Sequence, residues 1–194
     1  MKPFGTLESP LSAQKLRQRL LTASDVGPAY KTVTSADDDG DDDGHMFKVC
    51  ASDFAKYGVK DPKELDLATE AKENFALEVG DGRNLLSVEL SSDTPKKVAA
   101  VFKIQFDVMT SCGPLEVPAE SGHERVEITM KKAPPSPMAG VEQYGILSTY
   151  TTGTNTVVVK SVGAVVGSVG IFLVGEPDLV DQNIAKAVAK VKAG

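Results

Sequence analysis

The sequence predicts one α+β domain, on three observations: six segments composed and alternating like strands, two longer segments of helical period, and an apolar fraction of 41% with 6% aromatics and no tryptophan. At 194 residues the chain falls in the range of a single domain, and that apolar fraction is enough to bury a core without metals or several bridges. The interior is then built mainly from Val, Leu, Ile and Ala, with Phe47, Phe54, Phe75, Phe102, Phe106 and Phe172 as the bulky pieces. The expected organisation is a flexible Pro/Ser/Thr/Gly stalk over 1–10 and the domain over 11–194, which carries an acidic loop at 37–44.

Ser12 to Leu21 places Ala13, Leu16 and Leu20 on one helical face and its basic residues elsewhere, so it reads as a short amphipathic helix. Thr22 supplies a cap for one more turn, Gly27-Pro28 stops it, and Ala29 to Thr34 is short and β-compatible. Phe47 to Lys56 reads as a small helix ended by Gly58 and Asp61-Pro62, while Asp66 to Thr69 has no clear assignment. Ala71 to Val79 and Leu85 to Leu90 form a hairpin around the turn Gly80-Asp81-Gly82-Arg83-Asn84.

The main helix starts at Thr94-Pro95, a capping residue followed by a proline at the first helical position. Val98, Val101, Phe102, Gln105, Val108, Met109 and Cys112 follow at helical spacing until Gly113-Pro114 stops it. Four strands are expected next, at Arg125 to Lys131, Tyr144 to Thr151, Thr156 to Val162 and Val165 to Val174. Asp178 to Lys192 closes the chain as a helix with a stripe of Val180, Ile184, Ala187, Val188 and Val191, acids in its first turn and lysines in its last. The apolar run Val157 to Gly175, with Gly163 and Gly167 four apart, resembles a membrane-spanning seam. Lys160 interrupts it, and the stretch after Lys160 is too short to cross the hydrocarbon layer, so two buried strands joined or bent at the glycines are expected instead.

The net charge of −6 originates in the run Asp37 to Asp43, which holds six carboxylates; the other 21 acids match the 21 bases. With no basic stripe, neither nucleic acid nor an anionic membrane surface is an expected partner. Asp39-x-Asp41-x-Asp43-Gly44 reproduces the first half of an EF-hand loop, but Cys50 stands where a bidentate Glu should close it and no helix precedes it. Weak Ca²⁺ binding by Asp39, Asp41 and Asp43 is the functional reading of that run, set against a solvated acidic loop. No other cofactor is indicated.

No catalytic site is expected. His45 and His123 are the two histidines, and neither stands in a nucleophile or zinc motif. Gly167-Ser168-Val169-Gly170 lacks the spacing of a nucleophile elbow. Pro134-Pro135-Ser136-Pro137 reads as a stiff loop between strands in preference to a polyproline ligand. Cys50 and Cys112 leave two states open. Joined, they close a loop that the chain-entropy model values at about 4 kcal/mol; free, they suit an ordinary cytosolic interior.

Three stretches carry a family resemblance: Leu20-Leu21-Thr22-Ala23-Ser24-Asp25-Val26 near the start, the Thr-Pro helix ending in Thr110-Ser111-Cys112, and Val158-Val159-Lys160-Ser161-Val162-Gly163-Ala164-Val165-Val166 before the closing helix. Over roughly Leu11 to Lys192 the chain resembles actinobacterial extracytoplasmic lipoproteins whose domain is similar to the PknH-type kinase extracellular sensor domain. That resemblance implies a twisted antiparallel sheet flanked by helices, a Cys50–Cys112 disulfide, an extracytoplasmic location, and a cleft for a ligand not yet identified. It departs from the kinase sensors in having one possible disulfide where they have two. A kinase domain, a spanning anchor and a lipid-modified cysteine are not within these residues, so membrane attachment is expected only through a lipid anchor outside them. The resulting expectation is a non-catalytic cell-envelope domain that binds or senses a small molecule, a lipid or an envelope protein. The rivals are a cytoplasmic enzyme or regulator with free thiols, and a structural surface protein.

Overall fold

The computed structural model describes residues 7–34, 49–77, 85–117 and 125–194. Among the described residues five helices and eight strands follow in chain order: α1 (Ala13–Arg17), α2 (Ala23–Val26), β1 (Tyr30–Val33), α3 (Ala51–Lys56), a 3₁₀ turn (Pro62–Leu65), β2 (Thr69–Leu77), β3 (Leu85–Ser92), α4 (Pro95–Ser111), β4 (Leu115–Val117), β5 (Val126–Lys132), β6 (Glu142–Thr152), β7 (Asn155–Val166), β8 (Val169–Gly175) and α5 (Pro177–Ala193). The strands form one antiparallel sheet in the order β1-β2-β3-β8-β7-β6-β5-β4. Two meanders therefore meet at the β3–β8 pair, and α4 is the crossover that carries the chain from β3 in the sheet's interior to β4 at its far edge.

The period-two alternation of the strands sorts side chains onto two faces. Leu86, Val88 and Leu90 of β3, Val162 and Ala164 of β7, and Val169, Ile171 and Leu173 of β8 point to one face. There they pack against Leu16 of α1, Val26 of α2 and the buried stripe Leu179, Val180, Ile184, Ala187, Val188 and Val191 of α5. At the rim of this face Lys160, only 8% exposed, donates from Nζ to both carboxylate oxygens of Asp181 at 2.6 and 2.7 Å. The opposite face receives α4, whose Val98, Phe102 and Phe106 pack on Ile146 and Val165.

Eight strands stand where about six are expected. Tyr30–Val33 joins as an edge strand on β2, and Leu115–Val117 pairs with Val126–Ile128 although three residues are too few to show a period. The break between the last two strands falls at Gly167-Ser168 and not between Val162 and Val165, because Gly167 at φ +59° makes the tight turn there. Gly163 lies inside β7 for a different reason: a Cβ on it would collide with the rings of Phe106 and Phe102, as one on Gly170 of β8 would with Phe102. The α4 helix can lie close to the sheet only over these two residues. Thr94 holds the N-cap position of α4 but makes no side-chain cap bond; its N–H donates to the Asp93 carboxylate at 2.6 Å.

Part of the stretch expected as a stalk is tied to the domain. The Ser168 N–H donates to the Leu7 carbonyl at 2.6 Å and its hydroxyl to the Ser9 carbonyl at 2.7 Å, while the Leu11 N–H donates to the Ser92 hydroxyl at 2.9 Å. Ser92, fully buried, passes its own proton to the Ser168 carbonyl at 2.7 Å, so one polar clasp joins the incoming chain, β3 and the β7–β8 turn. Among the described residues no helix is long and apolar enough to cross a membrane.

Candidate functional site

Asp39, Asp41 and Asp43, the acidic loop around them, His45, His123 and the 80–84 turn lie outside the described residues. Among the described residues no group of three or more His, Cys, Asp or Glu is placed to hold a metal ion. Ser168 is buried with its hydroxyl given to a carbonyl, which makes it a structural residue of the turn. The Pro134–Pro137 segment links β5 to β6, where the Ala133 N–H donates to the Gly145 carbonyl at 2.8 Å.

The bridge implied by the resemblance is present: Cys50 and Cys112 are disulfide-bonded with their Cα atoms 5.5 Å apart. Cys50 is the N-cap of α3 and Cys112 the C-cap of α4, so the bond pins the start of a short surface segment to the end of the main helix. A small apolar cluster of Cys50, Phe54, Val59, Val108 and Leu115 surrounds it. Polar contacts reinforce the attachment. The Tyr57 hydroxyl donates to Asp107 at 3.2 Å, the Ser111 hydroxyl to Asp53 at 3.4 Å, and the Lys97 ammonium to the Asp66 carbonyl at 2.6 Å.

The segment held in this way forms the outer wall of a cleft of about 290 Å³. Phe54 of α3, Pro62 and Leu65 of the 3₁₀ turn, and Asp66 and Leu67 after it make that wall. Val101, Phe102, Gln105 and Met109 of α4 form the second side, and Glu70 of β2, Glu89 and Ser91 of β3 and Phe172 of β8 form the floor. Cross-strand register puts Glu70 opposite Ser91, and Ser91 opposite Gly170, so the floor is polar toward β2 and open beneath the Phe102 ring. A hollow of this size, mainly apolar with a few convergent polar groups, has the character of a small-molecule site and lies at the low end of its usual volume range.

A second hollow of about 120 Å³ lies on the other flank of α4, lined in part by Phe106, Asp107, Lys132 and Tyr144. Its charges are mutually satisfied. The hydrogen bond from Lys103 holds the Asp107 carboxyl below the usual carboxylate range against the opposing effect of burial. The Tyr144 hydroxyl donates to Glu142 at 2.6 Å, and desolvation followed by that carboxylate pushes its ionisation well above the ordinary tyrosine range.

No family model matches the chain, and no curated protein matches it. A solved structure does. The chain is similar in fold to the extracellular domain of PknH from Mycobacterium tuberculosis. The likeness has a TM-score of 0.63 at 12% sequence identity and covers 96% of this chain and 100% of that one. At that identity the correspondence is one of architecture, and it reaches from one end of the sheet to the other.

Most cleft residues carry no signal in the sequence. Glu70 and Glu89 alternate with buried neighbours as any solvent-facing strand residue does, and Pro62 and Leu65 sit in a segment without periodicity. The one available hint is Gln105, a polar residue inside the apolar stripe of α4.

Proposed function

We propose that the chain is a non-catalytic domain of the cell envelope that binds or senses a small molecule in the cleft between α4 and the β2–β3–β8 floor. The observation that carries this reading is the cleft itself, whose outer wall is held by a covalent bond. A disulfide persists in an oxidising compartment, which fits an extracytoplasmic location and counts against a cytosolic protein with free thiols. The fold likeness to an extracellular domain agrees with the same location. In this reading the domain is tethered through residues before Leu7, since the chain is already tied to the β7–β8 turn from Leu7 onward.

The test is a thermal-shift screen of small-molecule fractions from cell envelopes against the wild type and against Gln105→Trp, which fills the cleft from α4. Fractions that raise the melting temperature of the wild type and leave the filled variant unmoved are the expected result. If every stabilising fraction acts equally on both proteins, the cleft is not a binding site.

A further inference from the structure

One edge of the sheet is open in its middle, where β7 outruns β8. The pairing of the two strands ends at Lys160 opposite Gly175, because Pro177 turns the chain out of the sheet and into α5. The stretch 155–159 of β7 is therefore paired with β6 on one side and with no described strand on the other. Gly153 at φ +58° and Thr154 make the two-residue turn between β6 and β7, closed by Thr152 and Asn155 as a hydrogen-bonded pair. Bonding alternates along an antiparallel ladder, so Asn155, Val157 and Val159 bond to β6, while Thr156 and Val158 direct their N–H and C=O groups to the open side. These are two donors and two acceptors, and no described main-chain group meets them.

Free strand edges invite pairing with other chains, and they are ordinarily blunted by charge, proline or shortness. Other open edges of this sheet follow that rule. β1 carries Lys31, β2 carries Glu70 and Lys72 beyond its pairing with β1, β4 has three residues with Glu116 at their centre, and β5 carries Lys131 and Lys132 beyond β4. The 155–159 stretch, Asn-Thr-Val-Val-Val, has no charge and no proline, and four of its five residues are β-branched. Val157 is 60% exposed, the most of any large apolar side chain among the described residues, and Val158 is 39% exposed.

We propose that this stretch is a self-association edge, on which a second copy of the chain adds its own 155–159 antiparallel and joins the two sheets into one. Around a two-fold axis at Val157, Thr156 lies opposite Val158 of the other copy, and the outward donors and acceptors of the two copies make four main-chain bonds. Val157, on the α4 face with Tyr150, meets its own counterpart in the closer, non-hydrogen-bonded kind of pair. Like meets like there without electrostatic cost, which an edge with a lysine or glutamate at that position could not achieve. The edge offers no charge with which to select a different partner, whereas its own sequence satisfies it in main chain and side chain together. Five residues a side is small against the roughly 20 to 30 of a stable interface, so the dimer is a weak one, with a dissociation constant of about 10 to 100 µM. No β7 residue lines the cleft, and the inference stands independently of the binding reading.

Sedimentation velocity of the full chain from about 5 to about 500 µM tests it. The weight-average mass is expected to rise from 20.5 kDa toward twice that value, and the amides of Thr156 and Val158 to exchange more slowly as concentration increases. Val157→Lys and Val157→Glu, each checked for an unchanged melting transition, are expected to weaken self-association by about tenfold or more, because equal charges then face each other across the axis. An equimolar mixture of the two is expected to regain it, since lysine then faces glutamate. Val158→Pro removes an outward N–H, spares the ladder to β6, and is expected to weaken association by a similar factor. A wild type that stays at 20.5 kDa throughout overturns the proposal. So does a dimer that survives both Val157→Lys and Val158→Pro, which places the contact on another surface. A mixture of the two charged variants that stays monomeric overturns it as well, because Val157 then does not face its own copy.

Discussion

On the face covered by α1, α2 and α5 the strands β3, β7 and β8 present Leu86, Val88, Leu90, Val162, Ile171 and Leu173, none more than 1% exposed. On the face covered by α4 the same strands present Glu89, Ser91, Gly163, Gly170 and Phe172. One is a sealed aliphatic layer. The other is a looser layer in which two phenylalanine rings rest on glycines and a cleft remains open beside them. Its outer wall, α3 and the 3₁₀ turn, contributes little apolar area of its own and is retained by a disulfide and a small cluster. Residues adjacent in the chain thus serve different ends according to their parity on the strand: one set supplies stability, the other shapes a site.

Leu173 and Phe172 give the sharpest way to break that comparison, because they are consecutive and point to opposite faces. Leu173→Ala leaves a void in the sealed layer and is expected to cost about 4 kcal/mol. Phe172→Ala removes a larger side chain that is only partly buried beside the cleft, and is expected to cost about 2 kcal/mol, below the usual range for a fully buried phenylalanine. Urea unfolding of the two variants measures both, and equal costs would mean that the α4 face is packed as tightly as the other. Replacing Cys50 and Cys112 together by Ser is the next largest effect. Chain entropy for a separation of 62 residues sets a ceiling of about 4 kcal/mol, and about 3 kcal/mol is expected. The loss is also expected to be uneven: amide exchange should quicken in α3 and the 3₁₀ turn while α5 and β8 keep their protection relative to global unfolding. A uniform change across both faces would show that the bridge stabilises the whole domain and is not specific to the cleft wall.

How far each face could be read from the sequence follows from the same contrast. The sealed face was legible because α5 repeats its apolar residues at Val180, Ile184, Ala187, Val188 and Val191, and because Leu86, Val88 and Leu90 alternate with polar neighbours; one-dimensional periodicity is sufficient to mark such positions. The α4 helix itself was legible for that reason. The cleft was not. Its residues come from six elements, and Glu70 and Glu89 look in sequence like ordinary exposed strand positions until α4 and the pinned segment arch over them. Gly163 and Gly167 are equivalent as letters in an apolar run, yet one makes room for Phe106 and the other makes a turn; the difference lies in α4, which is remote in sequence. Leu115–Val117 is too short for any pattern, and its pairing with β5 is decided by where the crossover helix ends. Spacing alone left the cysteines either bridged or free, and the resemblance to extracellular sensor domains was what pointed to the bridge now seen.

The smallest expected effect lies at the rim of the sealed face, where a polar clamp joins α2 to α5. Asp25 closes a capping box, its Oδ2 accepting from the Thr22 N–H at 2.7 Å and the Thr22 hydroxyl at 2.8 Å, and the Lys190 ammonium of α5 bonds to the same oxygen. The Lys190 hydrogen bond first, and the Thr22 N–H after it, lower the Asp25 carboxyl from 3.8 to about 2. A carboxyl whose native value is depressed contributes stability that is fully present above its unfolded value and disappears as pH falls through the native one. For Asp25 the window runs from about 4 down to about 2. Its side chain is 34% exposed, so solvent screening reduces the contribution of the pair to about 1 kcal/mol. Lys190→Ala is therefore expected to raise the Asp25 midpoint toward the ordinary carboxylate value and to cost about 1 kcal/mol at neutral pH, with the difference from wild type shrinking as pH approaches 2. NMR titration of the carboxyl and urea unfolding across that range read both quantities. A cost that stays constant down to acid pH would trace the loss to the aliphatic stem of Lys190 packing on α2, and would make this rim one more part of the sealed layer in place of an electrostatic clamp upon it.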